Sequence, residues 1–275
     1  MRKFSHKAMD TEFSVSFGLN EDEALCSAAA AACFARIDGL ELLLTRFNDT
    51  SDVAVIRGLP DGGIATVARE TMDVLVASAR VCAATGGAFD PTVERRNFAE
   101  LTLDVEHVRV GVRKGPVALD FGGIGKGYAL DACAEILRSE QFDLHDWLLD
   151  AGSSTQVIGG GPWALGIGGR WKGRTRQETV LRLSDGALSG SGFEVRGEHI
   201  FDVRRGGPAV RWAQSWSRAR TGAVADALST AALALDAREL AAACRELEAG
   251  VWVAREQRPW LDRLRDPLTK FGRVP

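Results

Sequence analysis

No C-x-x-C pair occurs in this chain, and its five cysteines are an odd number, so neither a thiol-redox motif nor a paired disulfide framework is indicated. The amino-terminal MRKFSHKAMDTEF has no apolar core of the kind a secretory signal carries. No apolar run approaches the length that crosses a bilayer. Long basic runs are also missing, and Lys+Arg 34 against Asp+Glu 37 leaves a net charge of −3, which argues against a nucleic-acid groove. No repeat, linker or low-complexity segment divides the 275 residues. What remains is an ordinary globular composition, 45% hydrophobic and 26% charged, with ample material for a large core. Four of the cysteines fall in alanine-rich helical stretches, where the thiol acts as a small apolar group in a reducing compartment.

Periodicity predicts strands and helices mixed without strict alternation, hence an α+β class. Strands are expected near Glu12 to Phe17, Val117 to Phe121, Asp146 to Asp150, Trp163 to Ile167 and Gly250 to Ala254. Short alternating segments at Thr179 to Leu183 and His199 to Val203 read as an antiparallel meander. Helices are expected at about Glu21 to Leu44, Val67 to Ala84, Tyr128 to Leu137, Val224 to Leu235 and Ala237 to Leu247. Thr92 to Gly115 reads as polar and irregular, and Pro259 to Pro275 as a charged peripheral tail.

The densest chemical signal is LDFGGIGKGYALD, Leu119 to Asp131. A strand-like run carries Asp120 near its end, then Gly122, Gly123, Gly125 and Gly127 leave the backbone nearly bare before a helix. Exposed backbone N–H groups at a helix start attract an anion, and Lys126 adds a full positive charge. The segment is not a P-loop, which requires Ser or Thr after Gly-Lys where this chain has Gly127. Its glycine spacing also fails the dinucleotide fingerprint. Phosphate binding and a purely geometric glycine turn both fit the segment by itself.

A second segment, AVADALSTAALAL from Ala223 to Leu235, places Asp226 and Thr230 one helical turn apart on one face. A carboxylate and a hydroxyl so placed offer hard oxygens to Mg²⁺, whose shell is usually completed by waters and phosphates. The alternative is an N-cap at Asp226 and a Thr230 hydroxyl bonded back to a carbonyl. GGAFDPTV, Gly86 to Val93, reads as a rigid turn in which Pro91 fixes one dihedral. EHIFDVRRGGPA, Glu198 to Ala209, places His199 in a strand-like run. Arg204, Arg205 and Arg211 with Trp212 and Trp216 read as a solvated loop over buried tryptophans.

Taken in order, AMDTEFSV, LTRFNDTSD, GGAFDPTV, LDFGGIGKGYALD, EHIFDVRRGGPA and ADALSTA resemble the FAD:protein FMN transferase family of ApbE type, over about Met9 to Leu235. The family's Met-Gly-Thr is here Met9-Asp10-Thr11. Its Gly-Gly-Asp is Gly152-Ser153-Ser154-Thr155, its Thr-Ser-Gly is Gly190-Ser191-Gly192, and its HIIDPxTG is His199 to Gly206, with Val203 and Arg205 for the family's Pro and Thr. The resemblance implies one α+β T-fold domain spanning residues 1–275, with FAD in a cleft. It implies a Mg²⁺-dependent transfer of FMN from FAD to a Thr or Ser hydroxyl of an acceptor protein, with AMP released. Hydrolysis of FAD to FMN and AMP, or FAD carriage without chemistry, are the alternatives. By the same resemblance Met9, Phe47, Ala88, Phe89, Asp90, Asp120, Lys126 and His199 line the FAD site, and His199 contacts phosphate or moves a proton. Asp226, Thr230 and a carbonyl of Gly123 hold the metal. Many relatives carry export or lipoprotein signals, so this chain reads as a cytoplasmic form, or one whose leader was removed, with no membrane span and no nucleic-acid partner.

Overall fold

The computed structural model describes residues 1–18, 21–92, 97–152, 154–171, 174–192, 201–202, 204, 207–208 and 211–254. Strands β1 (Arg2–Ala8) and β2 (Thr11–Phe17) form a hairpin in which Ala8 pairs with Thr11, so Met9 and Asp10 alone make the turn. Both have positive φ, 49° and 57°. Two successive left-handed residues are the signature of a tight hairpin turn, which favours Gly, Asn or Asp and strains other side chains. Asp10 stands where the family has glycine and holds a left-handed conformation that aspartate tolerates, and Met9 is the more strained member of the pair. Helix α1 (Glu23–Leu44) begins at Asp22, whose carboxylate accepts from Leu25 N at 2.9 Å. It buries Cys26, Ala29, Ala30, Cys33, Ile37, Leu40 and Leu44 at helical spacing. Helix α2 (Asp52–Arg57) and helix α3 (Arg69–Ala84) follow, with the short strand β3 (Ile64–Thr66) between them.

The stretch expected to be irregular contains β4 (Leu101–Asp104) and β5 (Arg109–Val112), and β3, β5 and β4 make a small antiparallel sheet. Conversely, Val117 to Phe121 joins no ladder. Val117, Leu119 and Phe121 are buried, and the Asp120 N–H is used by the Pro91 carbonyl at 2.7 Å. Burial without a neighbouring strand imitates the strand pattern in sequence. Helix α4 (Gly125–Arg138) starts three residues before the expected Tyr128, so Lys126 lies in its first turn.

Next come β6 (Trp147–Ala151), β7 (Thr155–Gly159), β8 (Trp163–Trp171), β9 (Arg174–Leu183) and β10 (Gly186–Gly192). The short β11 (Phe201–Asp202) pairs with β12 (Gly207–Pro208), and β9 pairs with β8, so these segments form two hairpins rather than one meander. Strand β13 (Gln214–Ala219), helix α5 (Gly222–Ala232), helix α6 (Ala237–Glu246) and β14 (Gly250–Ala254) complete the described chain.

The main sheet runs β1-β2-β6-β7-β10-β13-β14, and all its pairings are antiparallel. Antiparallel strands beside separate helices make the class α+β, as expected. Its two faces follow the period of two along each strand. Phe13, Val15, Trp147, Leu149, Val157, Ala187 and Val251 belong to the large core with α1, α4 and α5. Ile158 and Leu188, with Leu148, Trp216 and Trp252, instead meet Leu165, Ile167 and Leu183 of the β8–β9 hairpin in a second, smaller core. All five cysteines are free, and all lie in helices. No described helix is long and apolar enough to cross a membrane. The tail from Pro259 lies outside the described residues.

Candidate active site

The glycine turn and the Asp-Thr helix, about a hundred residues apart in sequence, meet where the amino ends of α4 and α5 touch. Gly127 and Gly222 are the contact. A Cβ on Gly127 would stand 2.1 Å from the Gly222 carbonyl oxygen, and one on Gly222 would stand 2.5 Å from that of Gly127. Both distances are impossible for a methyl group, so only glycine permits this approach.

The crossing brings Asp226 to the turn. Its side chain is almost fully buried, and Oδ2 accepts from Gly127 N at 3.2 Å. The Lys126 ammonium lies 3.6 Å from the same oxygen and donates to the Gly122 carbonyl at 2.8 Å. Asp226 is not the N-cap that its local sequence allows. Helix α5 starts earlier, and Thr221 caps it, accepting from Val224 N at 3.4 Å. Thr230 does bond back, donating to the Asp226 carbonyl at 3.2 Å, and its hydroxyl also faces Gly123. A Cβ on Gly123 would be 3.3 Å from Thr230 Oγ1 and 3.5 Å from the Phe89 ring. Gly123, Asp226 and Thr230 are thus neighbours.

Their donor set suits a magnesium ion: one buried carboxylate, one hydroxyl and a turn carbonyl, all hard oxygens too few to fill a shell. Among the described residues no three His, Cys, Asp or Glu side chains cluster as a metal cage. A cation here would therefore draw the rest of its shell from water and ligand phosphates.

Behind Thr230 lies a line of hydroxyls. Ser191 Oγ is 3.4 Å from Thr230 Oγ1 and 2.8 Å from Ser229 Oγ, Ser229 is 3.3 Å from Ser189, and Ser189 is 3.0 Å from Thr155. Ser191 belongs to the Gly-Ser-Gly that replaces the family's Thr-Ser-Gly, so the hydroxyl is kept where the preceding threonine is lost.

On the other side of the glycine turn, Asp120 accepts from Gly122 N at 2.8 Å and pairs with Arg46 at 2.9 Å. The Arg46 guanidinium also lies 4.9 Å from the centroid of the Phe47 ring, which is 85% exposed. Arg46 thus joins Phe47 to Asp120. It went unnoticed in the sequence although it stands within LTRFNDTSD, because its partner is 74 positions away. Asp90 settles its own turn, accepting from Thr92 N at 2.8 Å and Thr92 Oγ1 at 2.6 Å. A carboxylate has about four lone-pair sites, so this role leaves capacity for a ligand. Ala88 and Phe89 are buried beside it, after Gly86 and Gly87 at positive φ.

Met9 packs against the large core from the β1–β2 turn. That turn is braced by Gly152, whose Cβ would meet Thr11 Oγ1 at 1.9 Å. His199 and Arg205 lie outside the described residues. Of the basic and aromatic residues around them, Arg204 pairs with Glu239 at 2.7 Å, and buried Trp212 donates to the Leu235 carbonyl at 2.8 Å.

Asp131, the last residue of LDFGGIGKGYALD, is part of this assembly. From α4 it accepts the Gly222 N–H at 2.6 Å and the Ala223 N–H at 2.9 Å. Burial pushes its carboxyl up to about 6, against the pull of these two hydrogen bonds.

No curated protein matches the chain. Solved structures do. The flavin transferase ApbE from Vibrio cholerae superposes with a TM-score of 0.76 at 18% identity, over 92% of each chain. The apo flavinyl transferase ApbE from Pseudomonas stutzeri gives 0.78 at 22% identity, over 93% of this chain and 91% of that one. The ApbE protein of Thermotoga maritima gives 0.77 at 23%, over 92% and 93%. At such identities the likeness establishes the fold. The sequence model of the ApbE family matches residues 9–97 and 93–253, nearly the whole described chain, and so this protein belongs to the ApbE family.

Proposed function

We propose that this chain is an FAD:protein FMN transferase acting as one domain, moving FMN from FAD onto a Thr or Ser hydroxyl of an acceptor protein and releasing AMP. The observation that carries the reading is the convergence of Lys126, Asp226, Thr230 and the Gly122–Gly123 turn at the α4–α5 crossing. It unites a cation, a buried carboxylate, a hydroxyl and bare backbone, the equipment for a pyrophosphate and its metal.

In the proposed reaction the acceptor hydroxyl oxygen attacks the phosphorus on the FMN side of the pyrophosphate. The bond from that phosphorus to the bridging oxygen breaks, AMP departs with the bridging oxygen, and the hydroxyl proton passes to a base. Such transfers depend on positioning and on neutralising charge. Mg²⁺, held by Asp226, Thr230 and the Gly123 carbonyl, would supply charge neutralisation across the pyrophosphate. Lys126 adds a fixed positive charge beside it. The amino end of α4 adds the partial positive charge of its dipole at the same region. Arg46, Phe47 and Asp120 form the wall of the FAD site on the far side of the turn, and Phe89 and Asp90 the wall beside Gly123.

His199 is proposed as the proton-transfer or phosphate-contact group, since imidazole titrates near neutrality. His199→Ala is then expected to slow turnover about 10²–10⁴-fold, the usual range for acid–base groups, with little change in FAD affinity. Arg205 stands where the family has threonine and pairs well with phosphate. Were Arg205→Ala the severe variant and His199→Ala nearly silent, the role would belong to the guanidinium.

The binding side is tested by calorimetry with FAD, FMN and riboflavin. FAD is expected to bind most tightly, because only it engages both the Gly86 to Pro91 turn and the Gly122 to Lys126 turn. Equal affinity for riboflavin would contradict a site built around the pyrophosphate.

A further inference from the structure

The contact between α4 and α5 has a symmetry that neither motif reveals alone. Each helix carries a glycine in its first turn, Gly127 and Gly222, and an aspartate four residues on, Asp131 and Asp226. Each aspartate accepts from the other helix's glycine amide. Asp131 takes Gly222 N at 2.6 Å and Ala223 N at 2.9 Å, and Asp226 takes Gly127 N at 3.2 Å. The glycines touch backbone to backbone between them. First-turn amides of a helix have no partner within it, so each helix is capped from across the crossing. Thr221, the local cap of α5, reaches only Val224 N, which leaves Gly222 and Ala223 to Asp131.

We propose that Asp131 is a positioning residue of the active site: by clasping the start of α5 it holds Asp226 against the Gly122–Lys126 turn. The chemistry requires this because Asp226 answers to three groups at once, the Gly127 amide, the Lys126 ammonium and the proposed metal. Its carboxylate reaches the turn only if α5 keeps its distance from α4. Cross-capping by Asp131 sets that distance at Gly222, one helical turn before Asp226. Glu135 and Arg138, the other charged groups bearing on Asp131, lie on α4 itself. The inference rests on the metal role proposed for Asp226, but the geometry of the clasp does not.

Asp131→Ala and Asp131→Asn in the full chain separate the possibilities. The readouts are amide hydrogen exchange at Gly222, Ala223 and Gly127, and the Mg²⁺ concentration giving half-maximal AMP release from FAD. In Asp131→Ala all three amides are expected to exchange at least about 10-fold faster, and half-saturating Mg²⁺ to rise about 10-fold, the lower end for partners that orient a metal ligand. Turnover at saturating Mg²⁺ should change much less. Asp131→Asn keeps an acceptor oxygen and should recover most of the Mg²⁺ response. Faster exchange confined to Gly222 and Ala223, with Gly127 and the Mg²⁺ response unchanged, would reduce Asp131 to a helix cap and overturn the proposal. If Asp131→Ala does not fold, Asp131→Ser, whose single short hydroxyl cannot serve both amides, is read by the same criteria: a joint rise at Gly127 and in half-saturating Mg²⁺ supports the clasp, and wild-type Gly127 exchange with an unchanged Mg²⁺ response overturns it. Should wild type itself show no Mg²⁺-dependent turnover, the functional reading fails, and unchanged Gly127 exchange in the variants would refute the clasp separately.

Discussion

Asp226→Ala is expected to eliminate Mg²⁺-dependent release of AMP from FAD. The substitution removes the one carboxylate among the proposed metal ligands, and a metal contributes several kcal/mol to such a transfer. A loss of that size is at least about 10²–10³-fold in rate. Stability should fall too. The Gly127 amide loses its acceptor, and Lys126, with only 15% of its side chain exposed, loses its counter-charge. A buried group left without its hydrogen-bond partner costs about 1–3 kcal/mol. Asp226→Asn separates the two effects, because an amide oxygen still accepts from Gly127 N while the charge is gone. The expected pattern is lost turnover in both variants, with a smaller loss of stability in Asp226→Asn, which keeps the hydrogen bond from Gly127 N, than in Asp226→Ala, which loses both that bond and the Lys126 counter-charge. Normal turnover in Asp226→Asn would show that no metal depends on this carboxylate.

Gly127→Ala is expected to be among the most damaging single-methyl changes at the described glycines. The new Cβ would meet Gly222 O at 2.1 Å, Gly222 C at 2.3 Å and Ala223 N at 2.7 Å, all backbone atoms that no side-chain rotation relieves. The helices must separate, at a cost of about 1–3 kcal/mol or more for overpacking. That separation withdraws Asp226 from the turn, so FAD turnover should fall with stability. Gly39→Ala provides the opposite case. It lies within α1, and a Cβ there meets nothing within 4 Å. Alanine should stabilise that helix by roughly 0.5–1 kcal/mol through propensity alone. Denaturant unfolding of the two variants beside wild type checks both signs. Equal effects would mean that the crossing is not tight.

The residues converging at the crossing were legible in sequence because their chemistry is local. Lys126 sits among glycines, and Asp226 and Thr230 are one helical turn apart. The long helices were legible for a similar reason, since α1 and α3 bury residues at helical spacing. Sheet membership was harder. Gly186 to Gly192 reads GALSGSG, without the β-branched alternation of a strand, yet it lies inside the main sheet, with Ser189 buried against α5 and Leu188 on the opposite face. β1 escaped notice because it is an edge strand whose outward residues, Lys3, Ser5 and Lys7, are exposed. Val117 to Phe121 erred in the other direction, being buried without being paired. The helix starts at Gly125 and Gly222 were read too late, since glycine weakens helix propensity and its reason for being there, the crossing, is tertiary. Arg46 and Asp131 could not be found at all from local pattern, because each gains its role from a partner on another element, Asp120 and Gly222 respectively.

The central claim is group transfer at this site, and the most direct measurement of it incubates the protein with FAD, Mg²⁺ and a flavin-accepting domain carrying a target Thr or Ser. AMP release is followed by chromatography and the acceptor's mass by mass spectrometry. The account predicts one AMP released for each FMN gained by the acceptor, with both products absent when Mg²⁺ is chelated or Asp226 is replaced by Asn. AMP and free FMN without any change in acceptor mass would make the protein a hydrolase, and bound FAD recovered intact would make it a carrier; either result contradicts the transferase.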